Sequence, residues 1–144
     1  MNKNNEIGYL IHKIDTKIKA NMDQELSRHD LTFSQSQVIH LLRLNGGQLS
    51  QKALQDLMKV SHPTVVGLVQ RLESNGYVKT EIDENDKRYK IVTLCDIADE
   101  FKKDMMRSKE RFDKKMFQDL PQEKLDELYQ ILQKMYENIE KGGQ

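Results

Sequence analysis

The hydrophobic period changes once between Ser50 and Leu94, and this change restricts the possible folds more than any other feature of the chain. Leu54, Leu57 and Met58 follow Ser50 at helical spacing, forming one inner face behind a good N-cap residue. After a short turn at Lys59-Val60, Ser61 caps a second run, in which Val65, Leu68, Val69 and Leu72 fall at i, i+3, i+4 and i+7. Pro63 fits its first turn, where a backbone N–H would have no helical partner. Asn75-Gly76 closes that run. The period then drops to two. Val78, Thr80 and Ile82 alternate with Lys79 and Glu81, and residues 89–94 alternate again after the polar turn Asp83-Glu84-Asn85-Asp86-Lys87-Arg88. Two short helices with a tight turn, followed by a hairpin, predict a winged helix-turn-helix.

Helical patterns flank this block. Ile7, Leu10, Ile11, Ile14, Ile18, Met22 and Leu26 form one stripe at steps of three and four, with a break expected near residues 28–31. Thr32-Phe33-Ser34-Gln35 has capping-box form, and the helix it starts carries Val38, Leu41 and Leu42 before Gly46-Gly47 stops it. Leu49-Ser50 then opens the next helix directly, with no strand expected there. Beyond the hairpin, Phe101, Met105, Phe112 and Met116 form a stripe, Pro121 marks a new start, and Leu125, Leu128, Leu132, Met135 and Ile139 repeat as a heptad seam. The first and last helices have too little chain of their own to bury both stripes, so a partner subunit is expected to supply the missing surface. The expected architecture is mainly α: one domain over residues 1–144, with a winged part at 31–94 (helix-turn-helix 49–73, wing 77–94). Residues 5–30 and 96–141 are the expected dimerisation helices.

Composition agrees. The chain has 144 residues, of which 32% are charged, with only two prolines and seven glycines, as suits long solvated helices. Lys plus Arg and Asp plus Glu are both 23, so any attraction to polyanions must come from a local patch. One cysteine excludes an internal disulfide and suits a reducing compartment. No apolar run approaches the ~18 residues of a membrane span, and no signal-peptide core is present. A cytoplasmic protein with no membrane partner is expected. No phosphate loop, metal-ligand spacing or nucleophile–base pair is recognisable, so neither catalysis, a metal nor a cofactor is expected.

The side of the second short helix opposite its core stripe carries Pro63, Gly67, Gln70 and Ser74, with Thr64 and Arg71 on one flank and Val66 on the other. Periodicity alone leaves open whether this face meets DNA or only solvent. Leu31-Thr32-Phe33-Ser34-Gln35, Leu49-Ser50-Gln51-Lys52-Ala53-Leu54, the run from Ser61 to Leu72, Glu73-Ser74-Asn75-Gly76-Tyr77-Val78, the run from Asp83 to Arg88 and Val92-Thr93-Leu94 together resemble the multiple-antibiotic-resistance-regulator (MarR) family. The resemblance implies a DNA-binding transcription regulator, homodimeric in most members and released from DNA by a small-molecule or oxidant signal, and for this chain a repressor occupying a near-palindromic operator is expected.

Under that resemblance Arg88 enters the minor groove and Asp86 orients its guanidinium, with Lys87 beside them. Ser61, His62, Pro63, Thr64, Val66, Gly67, Gln70 and Arg71 form the candidate major-groove face. Ser61 and Thr64 suit phosphate, Arg71 a phosphate or guanine, and Val66, read as apolar on an exposed flank, a thymine methyl. His62 also reads as an ordinary exposed side chain at the helix start. Gly67 departs from the family, many of whose members carry Arg or a polar side chain there, and Lys87 and Cys95 stand where Arg and Thr are common. Ile14, Ile18, Met22, Leu42, Phe101 and Met105 are candidates for an effector pocket, although plain core explains each of them as well. Two other readings remain: a winged protein-interaction module that does not read DNA, and an oxidant sensor using Cys95 at a helix start.

Overall fold

The computed structural model describes residues 2–142. In chain order the elements are α1 (Lys3–Arg28), α2 (Phe33–Leu44), β1 (Gln48–Ser50), α3 (Gln51–Met58), α4 (His62–Ser74), β2 (Val78–Ile82), β3 (Lys90–Leu94), α5 (Ile97–Met116) and α6 (Gln122–Lys141). The chain divides after Lys109 into two compact units, the second containing the last turns of α5 and all of α6.

The helix starts follow the capping residues. Thr32 accepts from the Gln35 N–H while the Gln35 side chain accepts from the Thr32 N–H, completing the capping box. Ser50 accepts from the Ala53 N–H and Ser61 from the Thr64 N–H. Two helix ends share one device. At α4, Tyr77 N–H reaches Leu72 O at 2.9 Å and Gly76 N–H reaches Glu73 O at 3.0 Å, with Gly76 at φ 83°. At α1, Leu31 N–H reaches Leu26 O and Asp30 N–H reaches Ser27 O, with Asp30 rather than glycine in the left-handed region at φ 54°. In each case the two apolar residues that bracket the turn are buried, Tyr77 with Leu72 and Leu31 with Leu26.

The sheet corrects one expectation. It has three strands in the order β1-β3-β2, all antiparallel, with Leu49 opposite Val92 and Thr80 opposite Val92 on the other side. Residues 48–50 are therefore a strand before α3 begins. At 3 residues it is too short to display an alternation. The ladder continues beyond it, because Leu94 N–H reaches Gly47 O at 2.8 Å.

The core of the first unit gathers Leu26, Leu31, Val38, Ile39, Leu42, Leu54, Val65, Val69, Leu72, Tyr77, Val78, Val92, Ala98 and Phe101. α4 packs on α2, α3 and β2, which fixes its inner face and leaves its opposite side free. Leu57, expected on the inner face of α3, is 53% exposed; Leu54 and Met58 pack there, with Gln51 also buried. Two of the long helices carry uncovered apolar faces, α1 and α6, whereas α5 buries Ala98, Phe101 and Ser108. Ile7, Leu10, Ile11, Ile14, Ile18 and Met22 on α1 are all exposed, and α6 has no buried residue.

Candidate nucleic-acid interface

Two segments place side chains toward one cleft: the outer side of α4 and the loop between β2 and β3. The loop is held by its own backbone. Asp83 N–H reaches Tyr89 O at 3.1 Å, Tyr89 N–H reaches Asp86 O at 3.0 Å, and Asn85 N–H reaches the Asp83 carboxylate at 2.9 Å. At its tip Arg88 and Asp86 form a two-pronged pair. Nε donates to Oδ1 at 3.0 Å and Nη2 to Oδ2 at 2.9 Å, and the Arg88 backbone N–H adds a bond to Oδ1. These bonds hold the Asp86 carboxyl below the usual aspartate range and push the Arg88 guanidinium further into its charged form. The Arg88 side chain nonetheless remains 81% exposed. The carboxylate therefore fixes the direction of the cation without covering it.

A cleft of about 230 Å³ separates loop and helix. His62, Val66 and Gln70 line it from α4, Thr80 and Ile82 from β2, and Lys87, Arg88, Tyr89 and Lys90 from the wing. Val66 is half-buried on this wall, so the reading of an exposed flank is corrected: it faces a cleft shared with β2 and the wing. His62, the first residue of α4, is exposed, yet its ring meets Tyr89 edge-on at 5.6 Å and 87°. Gly67 is half-buried, with nothing within 4 Å of where a Cβ would stand. Among the described residues no neighbour therefore requires a glycine there.

The remaining helix-start residues are exposed. Ser61 Oγ and Thr64 Oγ1 lie 2.8 Å apart. Thr64 N–H is engaged by Ser61 and Pro63 has none, which leaves the His62 N–H as the donor of that turn without a hydrogen-bond partner among the described residues. Pro63 and Arg71 are exposed and do not line the cleft.

Several residues at the cleft were not singled out by the sequence. Glu73 Oε2 accepts from both the Thr80 N–H at 2.9 Å and Thr80 Oγ1 at 2.6 Å, fastening the base of the wing to the end of α4. An acidic side chain in the last turn of a helix opposes the dipole there, a signal that it serves another partner. Tyr89 precedes β3 rather than belonging to it, and its ring also carries the Lys52 ammonium at 5.5 Å and the Arg88 guanidinium at 5.7 Å from its centre. Lys52, Lys87, Arg88 and Lys90 thus gather on the cleft and ring, and only Arg88 among them has an ion pair within 4 Å among the described residues.

The candidate effector-pocket residues fall into two sets. Leu42 and Phe101 are core and Met105 packs against it, whereas Ile14, Ile18 and Met22 are exposed on α1. Cys95 is half-buried. Its N–H donates to Tyr77 O and its carbonyl accepts from Ala98 N–H, so its backbone joins β3 to α5. Among the described residues no group of three or more His, Cys, Asp or Glu could hold a metal ion, and no helix is long and apolar enough to cross a membrane.

The sequence model of the MarR family matches residues 29–88, a span running from the end of α1 to the wing arginine. An HTH-type transcriptional regulator of Bacillus subtilis, YwoH, is 35% identical over 94 residues, covering 63% of this chain and 67% of the relative. The chain belongs to the MarR family. A second regulator of that type from B. subtilis, YfiV, is 32% identical over 93 residues, 65% of this chain and 58% of its own length. Among solved structures the fold matches B. subtilis YusO with a TM-score of 0.82 at 19% identity, over 92% of this chain and 94% of that one. It also matches S. aureus MepR in a complex with DNA, with a TM-score of 0.76 at 22% identity, over 92% and 98%. As a MarR-family winged helix-turn-helix protein, the chain is a transcriptional regulator and not an enzyme.

Proposed function

We propose that the protein is a homodimer that binds a near-palindromic operator in double-stranded DNA and represses by occupying it, until a small-molecule effector or another signal releases it. The observation that carries this reading is the placement of an exposed, Asp86-fixed Arg88 across a single cleft from the outer side of α4. α4 would enter the major groove by its first turns, with Ser61, His62, Pro63 and Thr64 near phosphates and Gln70 and Arg71 within reach of phosphates or base edges. Val66 and Gly67 sit where the DNA-facing side turns toward the wing. Arg88, with Lys87 beside it, would enter the minor groove, whose negative potential favours a guanidinium. The DNA-bound state of MepR, which shares this fold, supports duplex DNA as the partner.

The dimer rests on a second observation. Leu128, Leu132 and Ile139 on α6 are 42%, 44% and 72% exposed, and the α1 stripe is open as well. Each of these two apolar faces suits burial against a second copy. Two copies about a two-fold axis would set two α4 helices about one DNA turn, ~34 Å, apart. Ile14, Ile18 and Met22 belong to this uncovered stripe, and we place any effector pocket between it and the Leu42, Phe101 and Met105 cluster. Arg88→Ala tests the reading. It should weaken binding to the duplex that the protein itself selects by about tenfold or more, the cost of a lost charge-assisted contact, while sedimentation still finds a dimer. Unchanged affinity would remove the wing from the account.

A further inference from the structure

We propose that Tyr89 is a positioning residue: its ring locks the wing tip to the start of α4, so that Arg88 and the recognition helix engage DNA as one rigid unit. This rests on the reading above, in which both segments touch the duplex. Asp86 fixes Arg88 only within the loop, since both residues belong to it, and Glu73 fastens only the base of the wing through Thr80. The ring of Tyr89 is the contact that spans the gap at the tip. It meets the His62 imidazole of the first residue of α4 in a T-shaped pair at 5.6 Å, and carries the Lys52 ammonium at 5.5 Å from α3 and the Arg88 guanidinium at 5.7 Å from its own loop.

Edge-to-face rings and a cation over a ring face are both favoured by the ring quadrupole. One side chain therefore holds three segments by electrostatics that an aliphatic residue cannot reproduce. The backbone bonds of residue 89, to Asp86 and Asp83, do not depend on the side chain. A substitution that removes the ring should leave the loop closed and free the tip to move relative to α4.

The experiment combines motion in the free protein with coupling on DNA, in Tyr89→Leu, Tyr89→Phe, Arg88→Ala and the Arg88→Ala/Tyr89→Leu double variant. Thermal melting checks that each is folded. NMR relaxation of the Arg88 Nε–H and the wing amides should report greater motion in Tyr89→Leu and wild-type rigidity in Tyr89→Phe, which keeps the ring. For the selected operator, Arg88→Ala and Tyr89→Leu should each cost about tenfold, and the double variant should cost about the same as either alone, not their hundredfold product. Tyr89→Phe should bind as wild type. If Arg88→Ala weakens binding while Tyr89→Leu binds normally, or if the two costs multiply, the lock is refuted and the wing reading stands. If Arg88→Ala binds normally, the wing reading itself fails, and the lock's role on DNA fails with it. Unchanged Arg88 motion in Tyr89→Leu refutes the lock without reference to DNA.

Discussion

At the scale of single residues, the ionisable groups with resolved shifts make opposite demands on pH. Asp86 is held below the usual aspartate value, first by the hydrogen bond from Arg88. A carboxyl depressed in the folded state contributes its pairing above its unfolded value, and that contribution disappears as pH falls through the depressed one. The clamp on Arg88 should thus be intact at neutral pH and survive into acid where an ordinary aspartate, near 3.9, is already half protonated. A carboxyl-carbon NMR titration of Asp86 should show a midpoint below that of a free aspartate, and an ordinary midpoint would contradict the geometry. Tyr77 is raised, first by burial and then by the Asp30 carboxylate. A group raised in the folded state keeps its contribution below its unfolded value and loses it as pH climbs through the raised one. Ultraviolet titration should find Tyr77 ionising later than a free tyrosine, and nearer the free value in Asp30→Asn. Asp30 itself sits at φ 54°, a backbone region where glycine is unstrained. Asp30→Gly should raise stability by up to about 1 kcal/mol, read as a higher melting temperature, and a lower melting temperature would contradict that assignment of strain.

At the scale of elements, the legible parts were those whose signal is local. Thr32, Ser50 and Ser61 cap the helices where their hydroxyls precede a helical period, and Gly46-Gly47 and Asn75-Gly76 end helices, because capping and left-handed closure depend on a few consecutive residues. What the sequence hid depends on partners distant along the chain. β1 exists because β3 has a free edge to pair with it, and Leu57 is exposed because Gln51, Leu54 and Met58 make the α3 contact without it. The candidate site divides in the same way. Asp86 and Arg88 are two residues apart and their pairing could be read directly, whereas His62 and Tyr89 are far apart in sequence and meet only through the fold. Glu73 and Thr80 are bridged only once the chain turns at Gly76. The uncovered α6 face yields a prediction at this scale. Leu132→Glu should shift the monomer–dimer equilibrium by about a hundredfold or more, since a carboxylate would lose water against an apolar partner. Sedimentation at micromolar concentration should then find monomer. A dimer as tight as wild type would exclude this face from the interface.

At the scale of the whole molecule, a chain with zero formal net charge is proposed to bind a polyanion. The resolution is distribution: Lys52, Lys87, Arg88 and Lys90 gather about one cleft and one ring, and a surface potential follows local charge. Binding should then fall steeply with salt, each phosphate contact contributing a slope of about −0.9 in log affinity against log salt. Lys87→Ala should flatten that slope by about one unit per dimer subunit engaged, while leaving the preferred sequence unchanged. A changed preference with an unchanged slope would make Lys87 a base reader instead.

Whether two copies read two half-sites is decided by selection from a random duplex library at near-physiological salt. A two-fold dimer should enrich an inverted repeat whose half-sites are centred about one helical turn apart, ~10 base pairs. A folded, dimeric protein that enriches no sequence, or only a single unrepeated half-site, would contradict that expectation.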